Sequence, residues 1–416
     1  MFSTFKIAAR NLRRYKRRTI LTSALITIGV VAVLLFISVT GSFKAMMIGQ
    51  ITDSMLGHIQ IHKKGYVASV DNLPLDRNMN NKQIKKIEKI LDAEPGVEAY
   101  SLRIRLGAMF SNFTDTTNVR LNAVIPAKEI RAMPLIASRV LDRKDKNVLL
   151  LKKGQIVIPE LLAKGLKIKT GDPVVLVANN KDGSVNGKQF VVAGVLEGIS
   201  GPGGRDGMIH IDDARQLLRI KGIEASEIAV RLKNIADLPV IAARLRTKLK
   251  TFKNKKGKPV FEVHTWKQLT PFANIARMID LMTLFIKIML ISIVLVSVMN
   301  VMIMAVYERI REIGTIAAMG TPPARISALF IYEGFLIGAL GSIAGTILSL
   351  AGIYFMNISH ITFNFGRQKD LLLHAGIALD QIVVIVVLVI GISVLASLQP
   401  ALKASKLDPI EALRHV

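Results

Sequence analysis

Four stretches of this chain contain no charged residue: Thr19–Phe43, Ile288–Tyr307, Gly334–Gly366 and Gln381–Leu402. A helix needs about 20 mostly apolar residues to cross the roughly 30 Å hydrocarbon core of a bilayer, and each stretch reaches that length. Lipid offers no partner to a backbone amide, so such runs must satisfy their own hydrogen bonds as helices. One run stands near the start and three crowd the last third, with a long polar stretch between. The fold class expected is a membrane protein with four transmembrane α-helices and a large α+β extracytoplasmic domain between the first and second. A chain that is 51% hydrophobic yet 21% charged fits that mixture better than either part alone.

Orientation follows from the basic residues. Residues 1–18 hold Lys6, Arg10, Arg13, Arg14, Lys16, Arg17 and Arg18 and no acid, and basic residues beside a span stay cytoplasmic. The apolar run that follows is too long for a cleaved signal's h-region and reads as an uncleaved anchor. The layout is then a basic cytoplasmic N-terminus at 1–18, a span at 19–43, an external domain at 44–280, and a span at 281–306. A cytoplasmic helix and loop at 307–325, a span at 326–356, an external loop at 357–380, a span at 381–402 and a cytoplasmic tail at 403–416 complete it. The external domain carries 40 Lys and Arg against 23 Asp and Glu. Long loops translocate largely regardless of charge, so this excess does not oppose the orientation. The net charge of +26 has no aromatic-interleaved basic stripe to accompany it, which excludes nucleic acid as the expected partner.

Within the external domain the pattern alternates short strands and helices. His58–His62, Val97–Arg105, Val119–Ile125, Gln155–Ile158, Pro173–Ala178, Gln189–Leu196 and Ile228–Leu232 have strand periodicity. Asn81 is placed to cap a helix bearing Ile84, Ile87 and Leu91, and Ala236–Lys250 predicts a basic amphipathic helix. A second unit starts near Asn147, and Gly201–Gly204 is a loop. From Trp266 one helix is expected to run into the second span.

No catalytic or metal motif is present. There is no cysteine, no H-E-x-x-H, no G-x-S-x-G and no phosphate-binding loop with its lysine. His58 and His62, four apart on a strand, are expected to be a surface pair. The spans hold almost no ionisable residue at mid-depth, where a conduction or pumping site would place one. Lys287 and Glu333 lie near span ends, as anchors or, for Glu333, as a partner for Arg325. The third span carries Gly334, Gly338, Gly341 and Gly345 at steps of three and four, the small-residue spacing that lets helix backbones approach closely.

The sharpest local signal is Tyr307–Gly320, Y-E-R-I-R-E-I-G-T-I-A-A-M-G. It continues the second span as an amphipathic segment with Ile310, Ile313, Ile316 and Ala317 on one face. Gly320 stops the helix, with Thr321 to cap the next and Pro322 at its first position. Such a segment is either a docking element for a cytoplasmic protein or a plain hairpin connection.

The stretch Glu308-Arg309-x-Arg311-Glu312-Ile313-Gly314, then Ala318-Met319-Gly320, Arg325-Ile326 and Glu333-Gly334, resembles the signature of the FtsX-like ABC transporter permeases. This family includes the LolC/LolE lipoprotein-releasing and MacB-type (type VII) systems. The ending Pro400-Ala401-x-x-Ala404-Ser405-x-Leu407-Asp408-Pro409-Ile410-Glu411-Ala412-Leu413-Arg414 is similar to the family's, and Ile156–Ala163 with Phe190–Val195 looks like its extracytoplasmic core. The resemblance implies a non-enzymatic permease subunit in a bacterial inner membrane, both termini cytoplasmic, working by mechanotransmission. It implies no cofactor on this chain, with ATP-Mg held by a partner ABC ATPase. MacB-type members carry a fused ATPase ahead of the first span. Here the chain opens on its anchor, so the ATPase is expected on a separate subunit. Glu308, Arg309, Arg311, Glu312, Gly314 and Gly320 are the expected ATPase-coupling residues, and Gly334, Gly338, Gly341 and Gly345 the helix-packing ones. Further expected partners are a second permease chain, membrane lipid and a periplasmic carrier or adaptor. Three roles stay open: lipoprotein release, export of a small amphiphile or peptide with an adaptor, and signalling to a cell-wall hydrolase.

Overall fold

The computed structural model describes residues 2–142, 150–197, 206–365, 368–408 and 412. The expected Gly201–Gly204 loop, the boundary at Asn147 and much of the C-terminal motif (Pro409, Ile410, Glu411, Leu413, Arg414) lie outside the described residues. The chain divides into two compact units, residues 1–45 with 276–363 and 372–416, and residues 46–275 with 364–371.

The first unit is helical. Its helices are α1 (Phe2–Arg14), α2 (Lys16–Ile51), α3 (Phe272–Glu308), α4 (Ile310–Ala318), α5 (Pro323–Ile358) and α6 (Leu379–Ser405). Four of them, α2, α3, α5 and α6, are long and apolar enough to cross a membrane. At 1.5 Å per residue α2 is about 54 Å long, so it exceeds a bilayer's hydrocarbon core by roughly 24 Å. Two helical features differ from expectation. The basic N-terminal segment is itself a helix. The helix from Trp266 breaks at Thr270, whose extended backbone (φ −143°, ψ 143°) precedes Pro271, because proline disfavours a helical residue before it.

Burial within this unit is one-sided. Ile26, Val30, Leu34, Val298, Met302, Phe330, Ile337 and Val389 form its core, while Phe285, Ile347, Tyr354 and Val387 stay exposed, as suits helices whose outer face meets lipid. α2 and α3 are tied at both ends, by Arg18 to Glu308 at 3.4 Å and by Lys44 to Asp280. Between these ties, a methyl added at Gly29 would come within 2.5 Å of Val294.

The second unit is α+β around a ten-stranded sheet. Its order is Phe261–Thr265, Ile59–Lys63, Glu227–Leu232, Val97–Ser111, Thr116–Val124, Asp206–His210, Gln155–Pro159, Val185–Leu196 and Val140–Leu141; Pro173–Asn179 joins Val97–Ser111 and Val185–Leu196. Two pairings are parallel, Thr116–Val124 with Asp206–His210 and Gln155–Pro159 with Val185–Leu196; the other main-sheet pairings are antiparallel. Helices Asn81–Asp92 and Leu238–Lys250 turn Ile84, Ile87, Leu91, Ile241, Leu245 and Leu249 into the core. The cap of the first is Asn80, not Asn81: its side chain accepts from the Gln83 amide while the Gln83 side chain accepts from the Asn80 amide, each at 3.0 Å. That reciprocal capping box outcompetes a cap one residue later.

The histidine pair is likewise not on the surface. His58 and His62 are 5% and 1% exposed. His62 lies on the strand Ile59–Lys63, which has a strand on each side and is buried along Ile59–His62, and His58 immediately precedes it. His58 Nδ1 accepts from the Leu232 amide at 3.0 Å, and His62 stacks on Tyr66 and lies 3.7 Å from Glu227. Glu227 in turn faces Arg103 at 3.0 Å. Burial alone would raise the Glu227 pKa, but the His62 hydrogen bond and the charges of Arg105 and Arg103 hold it well below the ordinary carboxylate value.

Candidate functional site

The helical unit gathers its charges where α3 gives way to α4. The residue between them, Arg309, has a non-helical backbone (φ −117°, ψ 18°), and its side chain is buried, 3% of the residue being exposed. Its Nη1 donates to Glu333 Oε1 at 2.8 Å and its Nε to Glu312 Oε2 at 3.1 Å. The guanidinium also lies over the Phe330 and Tyr15 rings at 5.6 and 5.7 Å, a favourable placement for a planar cation. Glu333, on α5, has no exposed surface. Asn11 Nδ2 donates to it at 3.0 Å, and Arg18 Nη2 stands 3.9 Å away. The Tyr15 hydroxyl donates to Glu312 at 3.2 Å. A buried carboxylate persists only where charge and hydrogen bonds replace its water. Glu333 is therefore the node at which α1, α2, the α3–α4 break and α5 are held together.

The six expected coupling residues separate into inward and outward sets. Glu308 and Arg311 are exposed and Glu312 is half-buried. Arg309 is corrected from an outward contact to an internal latch, since its side chain is buried and bonded to Glu333 and Glu312. Glu333 itself is corrected from an interfacial anchor or Arg325 partner to the partner of Arg309, because the chain break at 309 turns that cation inward. Gly314 is buried against the C-terminal tail: a Cβ there would sit 2.7 Å from the Ala412 Cβ. Gly320 has φ +85°. Its amide bonds Ala317 O and that of Thr321 bonds Ile316 O, the paired closure of a Schellman stop. Thr321 is thereby used to end α4, and α5 begins at Pro323 with Pro322 as its cap, one residue later than expected. Ile313 is buried and Ile310, Ile316 and Ala317 are half-buried, while Arg311, Thr315, Ala318 and Met319 are exposed. That outward row, at steps of four, three and one, is an exposed face whose apolar tip, Met319, is 73% exposed.

The glycines of α5 serve two seams. Cβ atoms at Gly334 and Gly338 would fall 2.7 Å from Ser397 and Ser393 of α6; at Gly341 and Gly345 they would fall 2.7 Å from Ile26 and Val30 of α2. Both contacts lie inside one bundle. Sequence reasoning missed Asn11, Tyr15, Arg18, Ser393, Ser397 and Ala412. The first three stand at i, i+4 and i+7, a polar stripe within the basic segment that signals a helix face, and only the fold says what that face meets. Among the described residues no three His, Asp or Glu gather to hold a metal ion.

Comparison with known proteins places this arrangement. A family model described as the MacB-like periplasmic core domain matches residues 19–248, and one described as the FtsX-like permease C-terminal matches residues 284–409. The chain belongs to the FtsX-like ABC permease family. This permease is 22% identical to the lipoprotein-releasing system transmembrane protein LolC of Neisseria meningitidis, over 98% of each chain. It is 34% identical to the ABC transporter permease YtrF of Bacillus subtilis over 27% of each chain. The macrolide export ATP-binding/permease protein MacB 1 of Aeromonas hydrophila is 35% identical over 27% of this permease and 16% of its own length. Among solved structures, the periplasmic region of MacB from Actinobacillus actinomycetemcomitans matches half of this permease and 87% of that chain, with 12% identity and a TM-score of 0.35. The relatives this permease matches are ABC transporter permeases, which work with an ATPase.

Proposed function

We propose that this chain is the permease of a mechanotransmission machine driven by a separate cytoplasmic ATPase, and that it moves lipoproteins out of the inner membrane. Two permease chains dock two ATPases through the exposed row of α4 and the neighbouring Glu308. Closure of the ATPase pair pushes α4. Because Arg309 is bonded to Glu333 and Glu312, the push reaches α5, and through Asn11 and Arg18 it reaches α1 and α2. Substrate is taken from the outer leaflet and handed to a periplasmic carrier without passing between the helices. The uncharged interior of the spans supports that route.

The observation that carries the reading is the helix break at Arg309, which turns a docking helix and a buried charge node into one connected element. The end-to-end similarity to LolC supports lipoprotein as cargo. The test is purification of the full chain from native membranes with identification of what accompanies it, alongside Arg311→Glu/Met319→Glu. Wild type is expected to bring an ABC ATPase and a lipoprotein carrier, and the double variant to lose the ATPase while still inserting. An adaptor or a wall hydrolase in place of the carrier would replace the cargo assignment, and full ATPase recovery with the double variant would remove α4 from the interface.

A further inference from the structure

A cavity of about 380 Å³ opens in the helical unit where α3 and α6 end. Its walls include Ile303, Val306, Pro400 and Leu407, with Lys403 and Lys406 beside them. No lining residue is acidic. Among the described residues neither lysine has an ion-pair partner, and both are exposed. Tyr307, also in the lining, is 62% exposed. The lining is apolar toward the interior of α3 and α6 and cationic at the helix ends, with Tyr307 at the end of the apolar run, and tyrosine favours the interface between hydrocarbon and headgroups.

We propose that this cavity is a binding site for one anionic phospholipid of the cytoplasmic leaflet. An acyl chain lies against Ile303, Val306 and Pro400, and the phosphate is held by Lys403 and Lys406. Charge decides the class of occupant: two unpaired lysines at the edge of an apolar cavity attract a phosphate at headgroup depth, and basic pockets between helices on this side of a membrane suit acidic headgroups. An apolar peptide side chain would fill the walls and leave both charges unanswered. The lipid would brace the end of α3 against α6 immediately before the Arg309 break, so its presence would set how stiffly α4 is seated. The inference rests on the reading that this end of the bundle faces the cytoplasm.

The full chain, delipidated in non-ionic detergent, is titrated with phosphatidylglycerol and with phosphatidylcholine and read by native mass spectrometry. One phosphatidylglycerol per chain is expected, bound roughly tenfold more tightly than phosphatidylcholine. Lys403→Gln/Lys406→Gln should erase that preference. Ile310→Trp, which fills the cavity without changing charge, should weaken both lipids, and glycerol phosphate alone should not compete. Equal affinity for the two lipids, or unchanged phosphatidylglycerol binding in both variants, overturns the proposal. So does loss of ATPase binding in the lysine variant with lipid retained, which would make the cavity a protein dock. The chain has no cysteine, so Ser405→Cys reports orientation cleanly. Labelling of that cysteine from outside intact cells would overturn the functional reading itself. Protection of the cysteine together with indifference to lipid charge would overturn this inference alone.

Discussion

Replacing Arg309 by alanine isolates the latch. The substitution leaves Glu333 with no exposed surface and removes its 2.8 Å partner. Removing one member of a buried pair costs about 3–5 kcal/mol, because the remaining charge stays desolvated. Here Asn11 at 3.0 Å still donates and Arg18 remains 3.9 Å away, so the lower end, about 3 kcal/mol, applies. For a body of this size that corresponds to a melting shift of roughly 6–12 °C. Glu333→Leu should cost less, since Arg309 keeps Glu312 and Arg18 keeps Glu308. Arg309→Ala/Glu333→Leu should cost less than Arg309→Ala alone, because neither charge is stranded. The assay is helical ellipticity on heating in detergent for all four proteins, read as a double-mutant cycle. Under the functional reading, the double variant also keeps its fold but loses cargo-dependent stimulation of the ATPase. Additivity within about 0.5 kcal/mol, or a shift below roughly 2 °C for Arg309→Ala, would refute the latch.

Other outcomes follow from the same structure. Gly341→Val forces a Cβ to 2.7 Å from Ile26 and should destabilise the helical unit by about 1–3 kcal/mol. Gly352→Ala, whose nearest neighbour is the mobile end of Leu35 at 3.3 Å, should stay within about 0.5 kcal/mol in the same heating assay. Glu227 has a folded pKa below its ordinary 4.5, so the unfolded chain binds the proton more readily. Its stabilisation is therefore present above about pH 5 and is lost as the pH falls through 4.5 toward the lower folded value. Glu227→Gln should weaken the α+β unit by about 3 kcal/mol at neutral pH and flatten its decline in acid; fluorescence of buried Trp266, the single tryptophan, reads both. Asn80→Ala should cost about 1 kcal/mol through loss of the capping box, measured by the same fluorescence.

The spans were legible because hydrocarbon imposes length and apolarity directly, the strand near Val97 because its apolar residues alternate, and those near Gln155 and Ile228 because short β-branched apolar runs bounded by polar residues mark buried strands. The site was legible in part. The small-residue spacing of α5 marked close packing, but its change of neighbour, from α6 at Gly334 and Gly338 to α2 at Gly341 and Gly345, depends on the crossing of three helices and has no local sign. Arg309 is the instructive case. In sequence it is one of four consecutive-looking charges on an amphipathic segment, and a continuous helix would set it near solvent. One non-helical residue reverses that. His58 and His62 failed for a related reason: alternation tells polar from apolar positions, and cannot tell a strand at the rim from one with neighbours on both sides.

The paired ties at the two extremities of α2 and α3, together with the tight passage at Gly29, have a geometric consequence. Two helices clamped at both ends and pinched along their length act as a strut and resist bending. Over the roughly 39 Å between the two ties, a swing of only 5° carries the far tie sideways by about 3 Å. Small displacements at the basic end therefore emerge larger at the other, with no helix needing to unwind.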